Sequence, residues 1–407
     1  MKVASIKQKI TPDCGVLLAG YGPHDVSVAV HDDLFVTGVC LDDGENKALI
    51  LSFDLLGLDA CFVQELRRRC AAAANCAEEA VLLSCTHTHG GPHTRSTRTV
   101  PADVSCVRRV MDLTEQAVRG MTTPRECDVY FYSGKSGMNI NRRVTVGWNV
   151  CEQLSDRRYL EPLADGFCDR ELGMLLFYDR ETRELRHCIV NYAAHPLASH
   201  TRGKSGHSVT ADYPGVFRKM MEAESGAPCT FVTGAAGDQF PIDSETGFEA
   251  LPRMAYLLLK EAVKGLTDAV RNKAAFQIPD PELRWRVERF DVRLRAETAA
   301  DHPLYAGKTS VPCEIQLLGF GDTVCLAGVP GEMLAEVGQE IKWHSPFRKA
   351  FICYNSTGYL SYLCHGNALI AGSYEAGMQL IAQRESLELV RHAVDGMYRL
   401  LGRENEL

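Results

Sequence analysis

The segment Cys85-Thr86-His87-Thr88-His89-Gly90-Gly91-Pro92 sets two histidines one residue apart at the end of an apolar run. In extended chain alternate side chains share a side, so both imidazoles are expected to face one space. Gly90 and Gly91 then allow a sharp turn and a close backbone approach. Neutral imidazole is a ready zinc ligand, although a bare pair of this kind is equally well a hydrogen-bonded structural pair. His195 repeats the design at the end of Asn191-Tyr192-Ala193-Ala194-His195-Pro196. Alone it reads as structural; beside the first segment it becomes a second ligand candidate. His200 and His207, in the Gly/Ser-rich loop that follows, are less well placed. Gly328-Val329-Pro330-Gly331-Glu332 brings a carboxylate to the end of another strand-like run. Glu332 either opens a helix whose dipole favours it or completes a His/His/Glu set. The tyrosines of Tyr354-Asn355-Ser356-Thr357-Gly358-Tyr359-Leu360 and Tyr374-Glu375 are packing residues or, near a metal, phenols able to coordinate it or hydrogen-bond an oxyanion. The chemistry such a set supports is metal-assisted hydrolysis.

The elements that must position these residues alternate along the chain. Ala48–Phe53 and Ala80–Cys85 are apolar runs of strand length, separated by a helix-like stretch, Asp59–Ala74, rich in Ala, Leu and Arg. Strand, helix, strand in this span predicts a βαβ unit with parallel neighbours. Leu172–Tyr178 and Cys188–Ala194 predict a hairpin across a polar turn. Helices are predicted at Val104–Gly120, Tyr213–Glu224, Glu249–Arg271, Met333–Trp343 and Glu385–Leu400. Strands are predicted at Asp128–Tyr132, Cys229–Thr233, Arg284–Leu294, Glu314–Phe320, Val324–Ala327 and Phe351–Tyr354. Hairpins and crossovers together imply mixed sheets. No repeat or linker divides the chain, so the expectation is a single large α/β domain with mixed sheets and flanking helices, the metal site lying at strand C-terminal ends.

Composition narrows the function classes. A net charge of −8 leaves no basic excess for nucleic acid. No run approaches the ~18 apolar residues of a membrane-spanning helix, and the N-terminus lacks a leader-like apolar core. The sixteen cysteines are scattered without a CxxC pair, which favours reduced, buried thiols and a cytoplasmic location.

Taken in order, the motifs resemble the catalytic N-terminal domain of the neutral/alkaline (non-lysosomal) ceramidase family. The series runs Ile10-Thr11-Pro12, Ala19-Gly20-Tyr21, His31-Asp32, Ser52-Phe53-Asp54-Leu55-Leu56-Gly57 and Thr86-His87-Thr88-His89. It continues through Asn139-Ile140-Asn141-Arg142, Ala194-His195-Pro196, Gly237-Asp238, Pro330-Gly331-Glu332 and Gly358-Tyr359. The resemblance spans residues 1–407 and implies a catalytic domain without the family's C-terminal immunoglobulin-like domain. It implies Zn2+ held by His87, His195, Glu332 and Tyr359, with His89 as an acid/base neighbour and Arg142 and Tyr374 facing the substrate carbonyl. The implied reaction is hydrolysis of an amide in an N-acyl lipid or small molecule by metal-activated water. Phe240 in Gly237-Asp238-Gln239-Phe240-Pro241 stands where the ceramide-cleaving members carry serine, so a smaller or more polar amide is equally expected. The interval from Tyr359 to Tyr374 also exceeds the family's. The alternatives are a non-catalytic binding protein that keeps the metal pocket, a transferase using the same site, and an unrelated metallohydrolase acting on esters. Of the last kind, the metallo-β-lactamase pattern HxHxDH fails at Gly91, and an amidohydrolase barrel would carry its HxH on the first strand.

Overall fold

A computed structural model describes residues 1–143, 145–146, 149–150, 166–198, 207–372 and 374–407. Its largest sheet, nine-stranded among these residues, runs in the order Cys229–Thr233, Leu185–Tyr192, Glu171–Asp179, Arg125–Lys135, Lys2–Lys9, Phe35–Asp42, Lys47–Phe53, Val81–Cys85, with Gln277–Ile278 paired onto Arg125–Lys135. The outermost pair at each end is parallel and the pairs between are antiparallel. The predicted βαβ unit is one of these ends: Lys47–Phe53 and Val81–Cys85 are parallel, with helix Ala60–Ala74 between them in sequence. That helix stops where Asn75 enters the left-handed region, a conformation Asn tolerates. The predicted hairpin forms too, as Glu171–Asp179 against Leu185–Tyr192.

A second sheet, Leu283–Arg293, Ser310–Phe320, Val324–Gly328 and Lys349–Cys353, packs face to face on the first. Their shared core joins Leu41, Ile50, Leu82, Phe131 and Phe177 of the large sheet to Leu318, Phe320, Leu326 and Phe351 of the small one. Lys47–Phe53, Val81–Cys85, Val324–Gly328 and Lys349–Cys353 are buried on both sides, which explains why they read as continuous apolar runs. Helices cover the outer faces. Ala60–Ala74 and Val104–Arg119 lie over one half of the large sheet, and Asp212–Ser225 and Leu251–Arg271 over the other. Ala335–His344 and Glu385–Leu400 cover the small sheet. The arrangement is therefore helices, sheet, sheet, helices; mixed sheets with flanking helices were expected, and the face-to-face stacking of two sheets is added by the structure.

Three local differences matter. Lys2–Lys9 and Phe35–Asp42, which pair along their whole length in the large sheet, have no counterpart in the sequence reading. Each mixes polar residues into its pattern, so the apolar run that marks the other strands is missing. The helix predicted from Met333 begins at Ala335. Glu332 and Met333 instead form a two-residue strand parallel to Tyr362–Leu363, so Glu332 is not a first-turn helix residue. The described cysteines are all free thiols, most of them buried. No helix among the described residues is long and apolar enough to cross a membrane.

Candidate metal centre

The centre lies where strands from both sheets end. His87 follows Val81–Cys85, His195 follows Leu185–Tyr192, Glu332 follows Val324–Gly328 and Tyr354 follows Lys349–Cys353. Backbone bonds tie these ends together: Thr86 N–H donates to Phe53 O at 2.8 Å, Tyr354 N–H to Thr233 O at 2.9 Å, and Val329 N–H to Cys353 O at 3.0 Å. The histidine pair does converge, with ring centroids 5.2 Å apart, but not for the reason extended chain supplies. His87 has φ 69°, in the left-handed region, and is held there by its N–H bond to Leu55 O at 2.9 Å. The turn, rather than strand alternation, points both rings inward.

Each of three imidazoles is fixed by a backbone carbonyl. His87 Nδ1 lies 2.9 Å from Leu56 O, His89 Nδ1 lies 3.1 Å from Gly20 O, and His195 Nδ1 lies 2.5 Å from Ala236 O. A carbonyl can only accept, so each Nδ1 carries the proton and each Nε2 keeps its lone pair. Asn355 Nδ2 donates to the same carbonyl, Leu56 O, at 3.1 Å, and so helps to fix the acceptor that holds His87. Ligand atoms of the three histidines lie within 4.8 Å of one another. Glu332 Oε2 is 3.2 Å from His195 Nε2 and 3.4 Å from His87 Nε2. Tyr354 donates to Glu332 Oε2 at 3.3 Å, and the Tyr359 hydroxyl is hydrogen-bonded to Oε1. His87, His195, Glu332, Tyr354 and Tyr359 are buried, and His89 is half-buried.

Protonation states follow from the surroundings. Burial, with Arg142 and His87 nearby, outweighs the Glu332 contact and pushes His195 down to about 4, leaving a neutral imidazole. Burial pushes Glu332 up, and only positive charge placed between it and the His87 and His195 rings, which neutral imidazoles do not carry, holds its carboxyl low as an anion. Buried Tyr354 and Tyr359 are pushed up and stay protonated in the metal-free protein. Several imidazole lone pairs and a carboxylate aimed at one another cannot satisfy each other, whereas a divalent cation among them would satisfy all. Nitrogen and carboxylate ligands backed by carbonyl-bound Nδ1 protons form the donor set zinc takes, so the residues present fit that metal.

The remaining predicted residues divide. Tyr374 is half-exposed and, with His89, Glu332 and Tyr359, lines a cavity of about 260 Å³ beside the centre. Arg142 is buried behind that wall: its Nε donates to Glu375 Oε1 at 2.6 Å and its Nη2 to the Tyr362 hydroxyl at 3.0 Å. Its guanidinium carbon lies 4.9 Å from the Phe240 ring centroid and 5.8 Å from that of Tyr374. A short ladder, Asn139–Asn141 against Gln239–Pro241, places Phe240 there, and its ring also meets that of His195 edge-on at 6.2 Å. Arg143 takes the other oxygen of Glu375, Nη1 to Oε2 at 2.6 Å, and the two arginines bring that carboxyl to about 2 despite its burial. His207 is exposed and lies 3.5 Å from Asp25, apart from the centre; His200 lies outside the described residues.

Gly20, Asn355, Tyr362 and Arg143 were not singled out individually from the sequence. For Gly20 the reason appears only in the fold: a Cβ there would come within 2.2 Å of the His89 ring, so only glycine lets its carbonyl reach Nδ1.

No protein-family model matches the chain, and no curated protein sequence matches it. Solved structures do. The crystal structure of neutral ceramidase from Pseudomonas aeruginosa is 17% identical, with a TM-score of 0.79, and the match covers 99% of this chain and 74% of that one. A structure described as ceramidase complexed with C2 is 16% identical, also at a TM-score of 0.79, covering 99% of this chain and 75% of the other. Over nearly its whole length the chain therefore has the fold of bacterial neutral ceramidase.

Proposed function

We propose that this chain is a zinc-dependent hydrolase of an amide (N-acyl) bond, with His87, His195, Glu332 and Tyr359 as ligands and His89 as the acid/base beside them. The observation that carries the reading is the set of carbonyl-locked imidazoles facing one buried carboxylate at the end of a cavity. The likeness to ceramidase structures supports it. Zinc bound there supplies a Lewis acid that brings the pKa of water toward ~7.

The chain's own residues do the rest. His89, held by Gly20 O and half-buried at the cavity, takes a proton from the attacking water through Nε2 and returns it to the leaving amine. Tyr374 donates its phenol proton toward the carbonyl oxygen as charge builds there. Arg142, locked by Glu375, fixes Tyr362 and lends positive charge behind Tyr374. A cavity near 260 Å³ falls below the ~300–1,000 Å³ typical of drug-sized ligand sites, which favours a small amide over one enclosed with two long chains.

The test is a panel of N-acyl compounds, from short acyl amides to ceramide, assayed after chelation and after zinc is restored. Hydrolysis that disappears with chelator and returns with zinc is expected. Hydrolysis indifferent to chelation, or no cleavage across the panel, would contradict the reading.

A further inference from the structure

The loop leaving the histidine pair carries two arginines, Arg95 and Arg98, and both line the cavity. The loop is held firmly. Ser96 N–H and Oγ donate to the buried Asp59 carboxylate at 3.0 and 2.7 Å, and Thr94 Oγ1 donates to Gly57 O at 2.8 Å. Arg95 lies over the Tyr359 ring, its guanidinium carbon 4.1 Å from the centroid. Gly57 makes room for this stack, since a Cβ there would come within 2.9 Å of Tyr359 and 3.6 Å of Arg95. Among the described residues no hydrogen bond or ion pair engages Arg95, and its Nε is buried without a partner. A guanidinium offers five N–H donors; Arg95 is half-buried, so the shielded Nε–H lacks an acceptor while the other four remain accessible at the cavity.

The buried Asp59 carboxylate lies within electrostatic reach of Arg95, but its oxygens accept from Ser96. Among the described residues Glu332 is the only carboxylate on the cavity wall, and it faces the histidines and bonds Tyr359. Arg98 donates to Glu297 O at 3.3 Å, and its nearest carboxylate, the exposed Asp301, is 3.9 Å away. His302, also on the wall, is pushed down to about 4 by burial and then by Arg95 and Arg98, as a shared positive field requires.

We propose that Arg95, backed by Arg98, is an anion-recognition site that selects amides carrying a carboxylate a few bonds from the scissile carbonyl, the class that includes N-acyl amino acids. The guanidinium fork matches a carboxylate bidentately. One aromatic ring separates it from the centre, because the ring it covers ends in the hydroxyl bonded to Glu332. Leu18, Leu56, Met378 and Leu380 line the same cavity and leave apolar surface for a short acyl group. This inference rests on the amide-hydrolase reading for its substrate class.

The competing role for Arg95 is to steady Tyr359 by its cation–π contact alone. Calorimetric binding of N-benzoylglycine and N-benzoylglycinamide to the zinc-loaded full chain, with position 95 wild type or substituted and His89→Ala in every sample so that neither probe is turned over, separates the two roles. Wild type is expected to bind the carboxylate roughly tenfold or more tighter than the amide, the size of a charge-assisted hydrogen bond. Arg95→Gln should erase that difference, and Arg95→Lys, which keeps the charge and serves as the folding control, should restore part of it. Equal affinity for the two probes, failure to bind either, a preference that survives Arg95→Gln, or equal weakening of both probes by Arg95→Gln would overturn the proposal. Binding is read without turnover, so an Arg95-dependent preference in a protein that cleaves no amide would remove the hydrolase reading and leave the anion site. Cleavage of neutral amides with no carboxylate preference would do the reverse.

Discussion

The floor and the mouth of the cavity are built on opposite plans. On the floor, every imidazole has its Nδ1 on a backbone carbonyl and its Nε2 turned inward, and the side chains come from strand ends of both sheets. At the mouth, Arg95 and Arg98 sit on a loop, and Arg95 has no acceptor among the described residues. The floor is fixed by contacts within the protein, as a metal centre must be to hold its geometry. The mouth keeps binding capacity in reserve, which suits a ligand that comes and goes. The chemistry is therefore set by the sheets and the choice of substrate by a loop, the usual division between scaffold and binding segment.

Mutations on the floor should have the larger effects. His195→Ala removes one ligand and leaves the buried Glu332 carboxylate with one fewer partner; zinc content and hydrolysis should both be lost, read by metal analysis and rate. His89→Ala should keep the zinc and lower kcat by about 10²–10⁴-fold, the range for a lost acid/base group. Equal zinc loss in both variants would place His89 among the ligands. Glu375→Gln leaves Arg142 and Arg143 buried without their carboxylate and should cost about 3–5 kcal/mol of stability by denaturant unfolding. Because the Glu375 carboxyl is brought from 4.5 to about 2 in the folded protein, its contribution is complete above the unfolded value and is lost as pH falls from about 4.5 toward 2. Glu375→Gln should flatten that part of the acid unfolding curve. Asn355→Ala removes the donor that fixes Leu56 O, the acceptor of His87 Nδ1, and should lower zinc affinity about 10–100-fold without changing the fold. At the mouth, Arg95→Gln should cost about 1 kcal/mol of stability or less, the cation–π contact with Tyr359 being the interaction lost, while altering ligand preference. A large loss of stability there would show that the mouth is structural too.

The floor was legible in the sequence because its residue types are distinctive and sit where apolar runs end. His87, His195 and Glu332 each follow such a run, and the structure brings them within a few ångströms of one another. The physical reasons were less legible than the positions. Strand alternation cannot produce a φ of 69° at His87, which depends on its bond to Leu55, and the short strand holding Glu332 depends on Tyr362, thirty residues later. Gly20 and Asn355 act through partners 69 and 299 positions away, beyond the reach of periodicity. Lys2–Lys9 and Phe35–Asp42 escaped because polar residues interrupt their apolar pattern. Arg95 and Arg98 stand only a few residues beyond His89, but side chains on a loop look like solvent-facing charge until the cavity is seen.

The central claim is that these strand ends build one zinc site. Calorimetric zinc titration of the metal-free chain and of His195→Ala tests it most directly. The account predicts about one equivalent bound tightly by wild type and none by the variant. A wild type that takes up no zinc, or a variant that binds it as well as wild type, would contradict it.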